Sequence, residues 1–359
     1  MYLTREEERM LSGEYGEAVR KALTVIVRVG EALGAERLVE ITHAHVSGIS
    51  YFNIGDVGLE FIEELARMGG RVRVHATFNP TGIPLSEEGL WEDNAILVGA
   101  AEAEKQLRII RALTRMGFKF TATCIPYKLR RPRPGEHLAW GESSAVAVAN
   151  TLYGARTNRE GGPVALAAAL TGRIYYWGLH LDENRKPTML IRVKNIVLDE
   201  LAAGLLGHLV GRSYQDQLPY IDAELEGTRA VISMCGAAAA SGNTAMCIVR
   251  NYSPEDRGAP EKVETVEVTA RDLKAERELV ETASLEEADV FFTGCPHHDW
   301  SIVHTVLTLL ESSGVRRLRK PMWIALPGKL PNWGKNACSQ ATRQECASAT
   351  RYMYCCVKA

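Results

Sequence analysis

Apolar positions recur along this chain at two spacings, and the exchange between them predicts a string of helices and strands. Thr4 and Glu7 have the spacing of a capping box that opens a helix, and a longer helix follows from about Glu14 to Leu33. Leu38 to Thr42 reads as a strand, Ala44 to Ser50 as the loop after it, and Asp56 as the cap of an amphipathic helix reaching about Met68. Arg71 to Thr77 alternates at period two, Ala101 to Met116 returns to the helical period, and Phe118 to Cys124 is strand-like again. Beyond a Pro- and Arg-rich connector at Leu129–Gly135, small residues dominate from Ser143 to Ala169, which predicts buried, closely packed helices. Thr188 to Val193 is a further strand, Asp199 to Val210 a helix, and Asp289–Phe292 and Met322–Ala325 are late strands. Alternation of this kind argues for an α/β protein with a largely parallel sheet. A boundary near residue 200 divides the expected units, 1–200 and 201–330.

From Pro331 to Ala359 the pattern stops. Val357 is the only branched aliphatic there, Ile and Leu are missing, and yet Cys338, Cys346, Cys355 and Cys356 make up half of the eight cysteines. A segment so poor in core-formers is expected to contribute neither a strand nor an amphipathic helix. Residues 331–359 read as an atypical Cys-rich tail: a metal knuckle, a disordered end, or a stretch outside the native reading frame. The spacings match no C-x-x-C zinc pattern.

Composition narrows the class. With 46% hydrophobic and 24% charged residues the chain is an ordinary globular protein, and a net charge of −2 offers nothing to nucleic acid or an anionic membrane. Met1–Glu8 carries acid where a signal peptide needs base, and the run Leu201–Val210 is too short to span a bilayer. The expected compartment is the cytoplasm, where cysteines bind metal or pack rather than form disulfides.

Two of those cysteines stand out. Cys124 and Cys295 each end a strand-like run and are followed at once or nearly so by Pro, as Thr123-Cys-Ile-Pro126 and Gly294-Cys-Pro296. Both thiols are thereby placed at a strand's carboxyl end, where open α/β sheets bind ligands and where thiolates can hold an iron–sulfur cluster; the alternative is packing, the usual fate of a free cysteine. Cys235 and Cys247, in a small-residue stretch, read as packing residues. The loops Gly48-Ile49-Ser50 and Asn79-Pro80 follow predicted strands, and Glu142-Ser143-Ser144 opens a helix. Their hydroxyls and free backbone N–H groups suit a small anion, or they are turns and an N-cap. In Gly154–Pro163 the arginines Arg156 and Arg159 stand before a helix start and are read either as anion forks or as partners of a structural network; His180–Arg185 concentrates further ionisable groups and reads equally as a solvated turn. No Walker loop, GxGxxG, HExxH or GxSxG occurs, which removes nucleotide-binding, zincin and α/β-hydrolase readings.

Taken together, these segments resemble the large subunit of the aconitase X family, from Tyr2-Leu-Thr4 through Ala44–Gly48, Thr123–Tyr127, Gly135–His137, Gly154–Pro163 and Gly178–Arg185 to Thr293–His297. The resemblance covers roughly residues 1–330 and implies an aconitase-like, multi-layer α/β fold with largely parallel sheets. It implies the two-chain type, with a small swivelling-domain subunit as partner in a heterodimer, because 359 residues leave no room for a fused small domain. It also implies dehydration of (R)-5-phosphomevalonate to trans-anhydromevalonate 5-phosphate in a modified mevalonate route to isoprenoids, with a [4Fe–4S] cluster as Lewis acid. Carried over by position, Cys124 and Cys295 are cluster ligands and Gly48, Ile49, Ser50, Asn79, Pro80, Glu142 and Ser143 bind substrate. The base is expected on the small subunit, so no catalytic base is assigned to this chain. The family's third cysteine sits in an Asp-Thr-Cys-like strand that this sequence lacks, and Cys355 is the candidate in its place. The alternatives are a dehydratase of another β-hydroxy acid such as cis-3-hydroxyproline, and a cluster-free scaffold for the small subunit.

Overall fold

The computed structural model describes residues 1–79, 85–86, 89–90, 99–315, 318–327 and 354–357. Helix α1 (Arg5–Leu11) starts as its capping box demands: Thr4 N–H donates to Glu7 Oε2 at 2.8 Å, and Glu7 N–H donates to Thr4 Oγ1 at 3.3 Å. Helix α2 (Glu17–Ala32) buries Val19, Ala22, Leu23, Ile26 and Gly30, an i, i+3, i+4 stripe that faces the core.

The chain next forms two strands where one was expected. β1 (Leu38–Glu40) is followed by β2 (His43–Ser47), so most of the segment read as a loop is a fully buried strand. Its His-Ala-His-Val-Ser sequence conceals this, because its two imidazoles look like surface chemistry yet lie at zero exposure. Burial keeps them neutral: His45 is pushed down to about 3, with its Nδ1 2.7 Å from Thr77 Oγ1. Helix α3 (Tyr51–Arg67) begins six residues earlier than the Asp56 cap would place it; Ser50 holds the N-cap position. The sequence signal was not empty, because Gly55 breaks the helix at φ 57° and Asp56 opens its second half.

β3 (His75–Asn79), the short pair β4 (Leu85–Ser86) and β5 (Gly89–Leu90), α4 (Ala100–Arg115), β6 (Lys119–Phe120), α5 (Pro126–Leu129) and β7 (Leu138–Trp140) complete the first layer. Strands β6-β3-β2-β7 form one sheet, parallel throughout. Helices α6 (Ser143–Tyr153) and α7 (Gly162–Thr171) bury nearly every residue, as their small side chains predicted, and β8 (Arg173–Tyr175) pairs antiparallel with β1.

A second parallel sheet, ordered β11-β10-β9-β12, comprises β9 (Met189–Leu198), β10 (Pro219–Leu225), β11 (Ile248–Val249) and β12 (Glu264–Val268). Helices α8 (Glu200–Ser213), α9 (Gly227–Ser241) and α10 (Ala270–Val280) accompany it. α8 and α9 meet backbone to backbone, since a Cβ on Gly207 would stand 2.1 Å from the Met234 carbonyl oxygen. Last come β13 (Phe291–Thr293), α11 (Trp300–Ser312), β14 (Met322–Ala325) and β15 (Tyr354–Val357), with β13 parallel and β15 antiparallel to β14. The expectation that nothing after Pro331 forms a strand fails at β15. A four-residue strand pairing with β14 is held by main-chain hydrogen bonds, and Tyr, Cys and Val are residue types that tolerate extended chain.

Candidate active site at the carboxyl edge of the first sheet

Every chain end that leaves the carboxyl edge of the first sheet carries a residue singled out by sequence. β2 runs into Gly48-Ile49-Ser50, β3 ends on Asn79, the turn after β6 reaches Cys124, and β7 leads through Gly141 to Glu142 and Ser143. Parallel strands bring their loops together at this edge, the usual binding position of an open sheet.

Glu142 is the hub. Asn79 Nδ2 donates to its Oε1 at 2.8 Å, and the Ser47 hydroxyl also bonds the carboxylate. Burial raises its pKa against both bonds, and its charge in turn raises the thiols of Cys124 and Cys295. Cys124 stands four residues beyond β6, so the strand does not run into it as expected. Instead Thr121 and Ala122 N–H both donate to the Phe78 carbonyl, Ala122 takes a left-handed φ of 44°, and Thr123 Oγ1 accepts from Ile125 N–H at 3.1 Å. That tight turn fixes the thiol at the rim. Cys295 comes from the third sheet, one residue past Gly294, whose φ is 124° and where a Cβ would meet Ala325 Cβ at 2.6 Å. The two loops meet: His297 N–H donates to Cys124 Sγ at 3.1 Å, and Pro296 packs over Gly236. Burial pushes the Cys124 thiol well above its ordinary range; Cys295, though exposed as a residue, is raised by the partial burial of its sulfur and by the Glu142 charge.

Gly48 needs its left-handed φ of 67° to turn the chain. Ile49 is 2% exposed in the first core, so only its backbone can meet a ligand. The Ser50 hydroxyl donates to Asn53 Oδ1 rather than capping α3 by side chain. Ser143 is not an N-cap either; Glu142 holds that position and Ser143 begins α6. Pro80 lies outside the described residues. Cys355 pairs through its backbone with Ile324, which pairs with Thr293 two residues before Cys295. Cys235 and Cys247 are buried in the second core.

The arginines of the Gly154–Pro163 motif go to structure. Arg156 donates to the His180 carbonyl at 2.8 Å and to Asp182, Arg159 to the Gly242 carbonyl at 3.3 Å, and Arg185 pairs with Glu255. Arg156 thus ties the two motifs together, and these contacts favour the structural reading of the arginines.

The sequence matches a known family. Family models for the aconitase X first domain and second domain match residues 1–183 and 187–278. The chain belongs to the aconitase X family. An aconitase X crystal structure from Thermococcus kodakaraensis (holo-form) superposes at a TM-score of 0.83 with 38% identity, covering 94% of this chain and 83% of that one. The phosphomevalonate dehydratase large subunits of Aeropyrum pernix and Methanocaldococcus jannaschii are 42% and 40% identical to this aconitase X chain, over 89% and 90% of it and 80% and 81% of their own lengths. Cis-3-hydroxy-L-proline dehydratase of Pseudomonas aeruginosa is 38% identical over 60% of this chain and 36% of its own length.

Among the described residues no group of three His, Cys, Asp or Glu side chains is arranged to hold a metal. Two thiols from different sheets do converge at one carboxylate-lined rim, with no disulfide between them. This donor set fits two ligands of a thiolate-bound cluster, a third being needed from elsewhere in the chain. No helix among the described residues is long and apolar enough to cross a membrane.

Proposed function

We propose that this chain is the large subunit of a hydro-lyase that dehydrates (R)-5-phosphomevalonate to trans-anhydromevalonate 5-phosphate in a modified mevalonate pathway. It would work in the cytoplasm as a heterodimer with a small subunit. The observation that carries this reading is the meeting of the Cys124 and Cys295 loops beside Glu142, in a chain similar over most of its length to subunits of that name. Cys124 and Cys295 would hold a [4Fe–4S] cluster, with Cys355 as candidate third ligand. When bound, such a cluster supplies a Lewis-acidic iron that makes a substrate hydroxyl a better leaving group.

The chain's own residues bind and orient. N–H groups in the first turn of α6 have no partner within the helix and, with the Gly48–Ser50 backbone, would hold an anionic end of the substrate. Asn79 and Ser47 fix the Glu142 carboxyl so that it meets the substrate in one orientation. The base that takes the α-proton is assigned to the small subunit. The shorter matches to hydroxyproline dehydratases make that substrate the second reading.

Anaerobic co-expression with a candidate small subunit tests both chemistry and cofactor. The expected result is a brown complex containing iron and acid-labile sulfide that converts phosphomevalonate and leaves cis-3-hydroxyproline untouched. An iron-free complex inactive on both acids would instead establish the scaffold alternative.

A further inference from the structure

Glu160 lies one layer behind the substrate loops and has no part in the chemistry above. Its side chain is 3% exposed; Oε2 accepts a hydrogen bond from the Tyr175 hydroxyl, and Oε1 has no partner among the described residues. Its main chain is wedged between the loops. Glu160 N–H donates to the Trp140 carbonyl at 3.1 Å, and its own carbonyl oxygen is 3.2 Å from where a Cβ on Gly141 would stand. Two residues on, Gly162 is so close to β2 that a Cβ there would lie 2.7 Å from the Ser47 carbonyl oxygen and 2.6 Å from Ile49 Cγ2. One short segment thus touches both Gly141–Ser143 and Ser47–Ser50.

A buried carboxylate with an unpartnered oxygen is costly, whereas the neutral acid is not. Ionisation is relieved by admitting water, which means drawing the 158–162 segment away from the ends of β2 and β7. We propose that Glu160 is a positioning residue: neutral and bonded to Tyr175, it holds both substrate loops in binding geometry, and its ionisation loosens them. The proposal rests on the substrate-binding reading of those loops.

Burial pushes the Glu160 carboxyl up to about 7, against the lowering effect of the Tyr175 hydroxyl and of the nearby Asn158 amide, whose well-formed hydrogen bond goes to the Trp177 carbonyl at 3.1 Å and leaves Oε1 unpartnered. The other groups packed around it do not compete. From β2, the Ser47 hydroxyl is directed to Glu142, and His45, pushed down to about 3, stays neutral. Arg159 turns away to Gly242, and α2 presents Gly30 to Tyr175. Since the folded value exceeds the ordinary 4.5, the stabilisation by the neutral form is complete below that value and is lost as pH rises through about 7.

The test is hydrogen exchange on the purified two-subunit complex, corrected for the intrinsic pH dependence, at amides 47–50 and 141–144. Exchange is expected to accelerate several-fold between about pH 6 and about pH 8 in the wild type, and to stay flat in Glu160→Gln, which keeps a neutral side chain. KM for phosphomevalonate should follow the same profile, with kcat little changed. Tyr175→Phe removes a donor that favours the carboxylate and should move the transition to higher pH. A Glu160→Gln profile identical to wild type overturns the proposal; if that variant does not fold, an unshifted transition in Tyr175→Phe overturns it. A wild-type complex with the expected exchange profile but no turnover of phosphomevalonate would count against the reaction and support the positioning role.

Discussion

Cys124 and Cys295 reach the same rim from opposite kinds of structure. The Cys124 turn packs against the second core, is pinned by four hydrogen bonds to Phe78 and Thr123, and leads into α5. Cys295 is exposed and rides on a sheet whose buried cluster holds only Val303, Ile324 and Leu326 among the described residues. Contacts across the gap do for this loop what a core does for the other: His297 N–H on Cys124 Sγ, Pro296 over Gly236, and Lys128 with Asp299 at 3.1 Å. One thiol is preorganised by packing, and the other is brought to it by docking, so a cluster bound by both, as proposed, would itself fasten the third sheet to the first.

The largest effect that can break this comparison is removal of a thiol. Cys124→Ala and Cys295→Ala should each lose the iron and about a hundredfold or more in activity while keeping the fold. Limited proteolysis of either variant should cut within 281–299 before 118–126; the reverse order would refute the contrast. Cys235→Ala and Cys247→Ala should keep full iron and cost about 1–2 kcal/mol as core deletions, measured by denaturant unfolding.

Gly294→Ala comes next. The added methyl must displace Ala325, at a cost of about 1–3 kcal/mol. Iron content should fall, while far-ultraviolet dichroism stays unchanged. Full iron loading would show that the Cys295 loop adapts more freely than its close contacts suggest.

Ser143→Ala probes the anchored side. A lost charge-assisted hydrogen bond corresponds to about a tenfold drop in kcat/KM, and because Ser143 is not the N-cap, helix stability should hardly change. Unaltered kinetics would remove Ser143 from the substrate site. The smallest effect is expected from Lys128→Ala, since a partly exposed ion pair contributes under about 1 kcal/mol and is screened by salt; a salt titration of the stability difference checks it.

Much of this was legible in residues. The capping box at Thr4–Glu7, the small-residue helices, the strands at 189–193 and 322–325 and the cysteine pair all announce themselves, because helix ends, close packing and thiol chemistry depend on residue types at short spacing. β2 did not, since a strand that buries two histidines looks polar until the sheet around it is known. Nor could the sequence place Arg156 and Arg159, whose partners Asp182 and Gly242 lie 26 and 83 residues away.

The sequence by itself determined the repertoire: an α/β chain with two thiols after strands, glycines where the chain must turn left-handed, and hydroxyls and amides at loop starts. Tertiary structure alone decided that Glu142, from β7, meets Asn79 from β3, Ser47 from β2 and the thiols of two different sheets. It also decided that Glu160 is buried behind them with one oxygen unpartnered. Local conformation follows from neighbours a few residues apart, whereas convergence and burial depend on how parallel strands 30 to 170 residues apart are ordered in space, which no local pattern encodes.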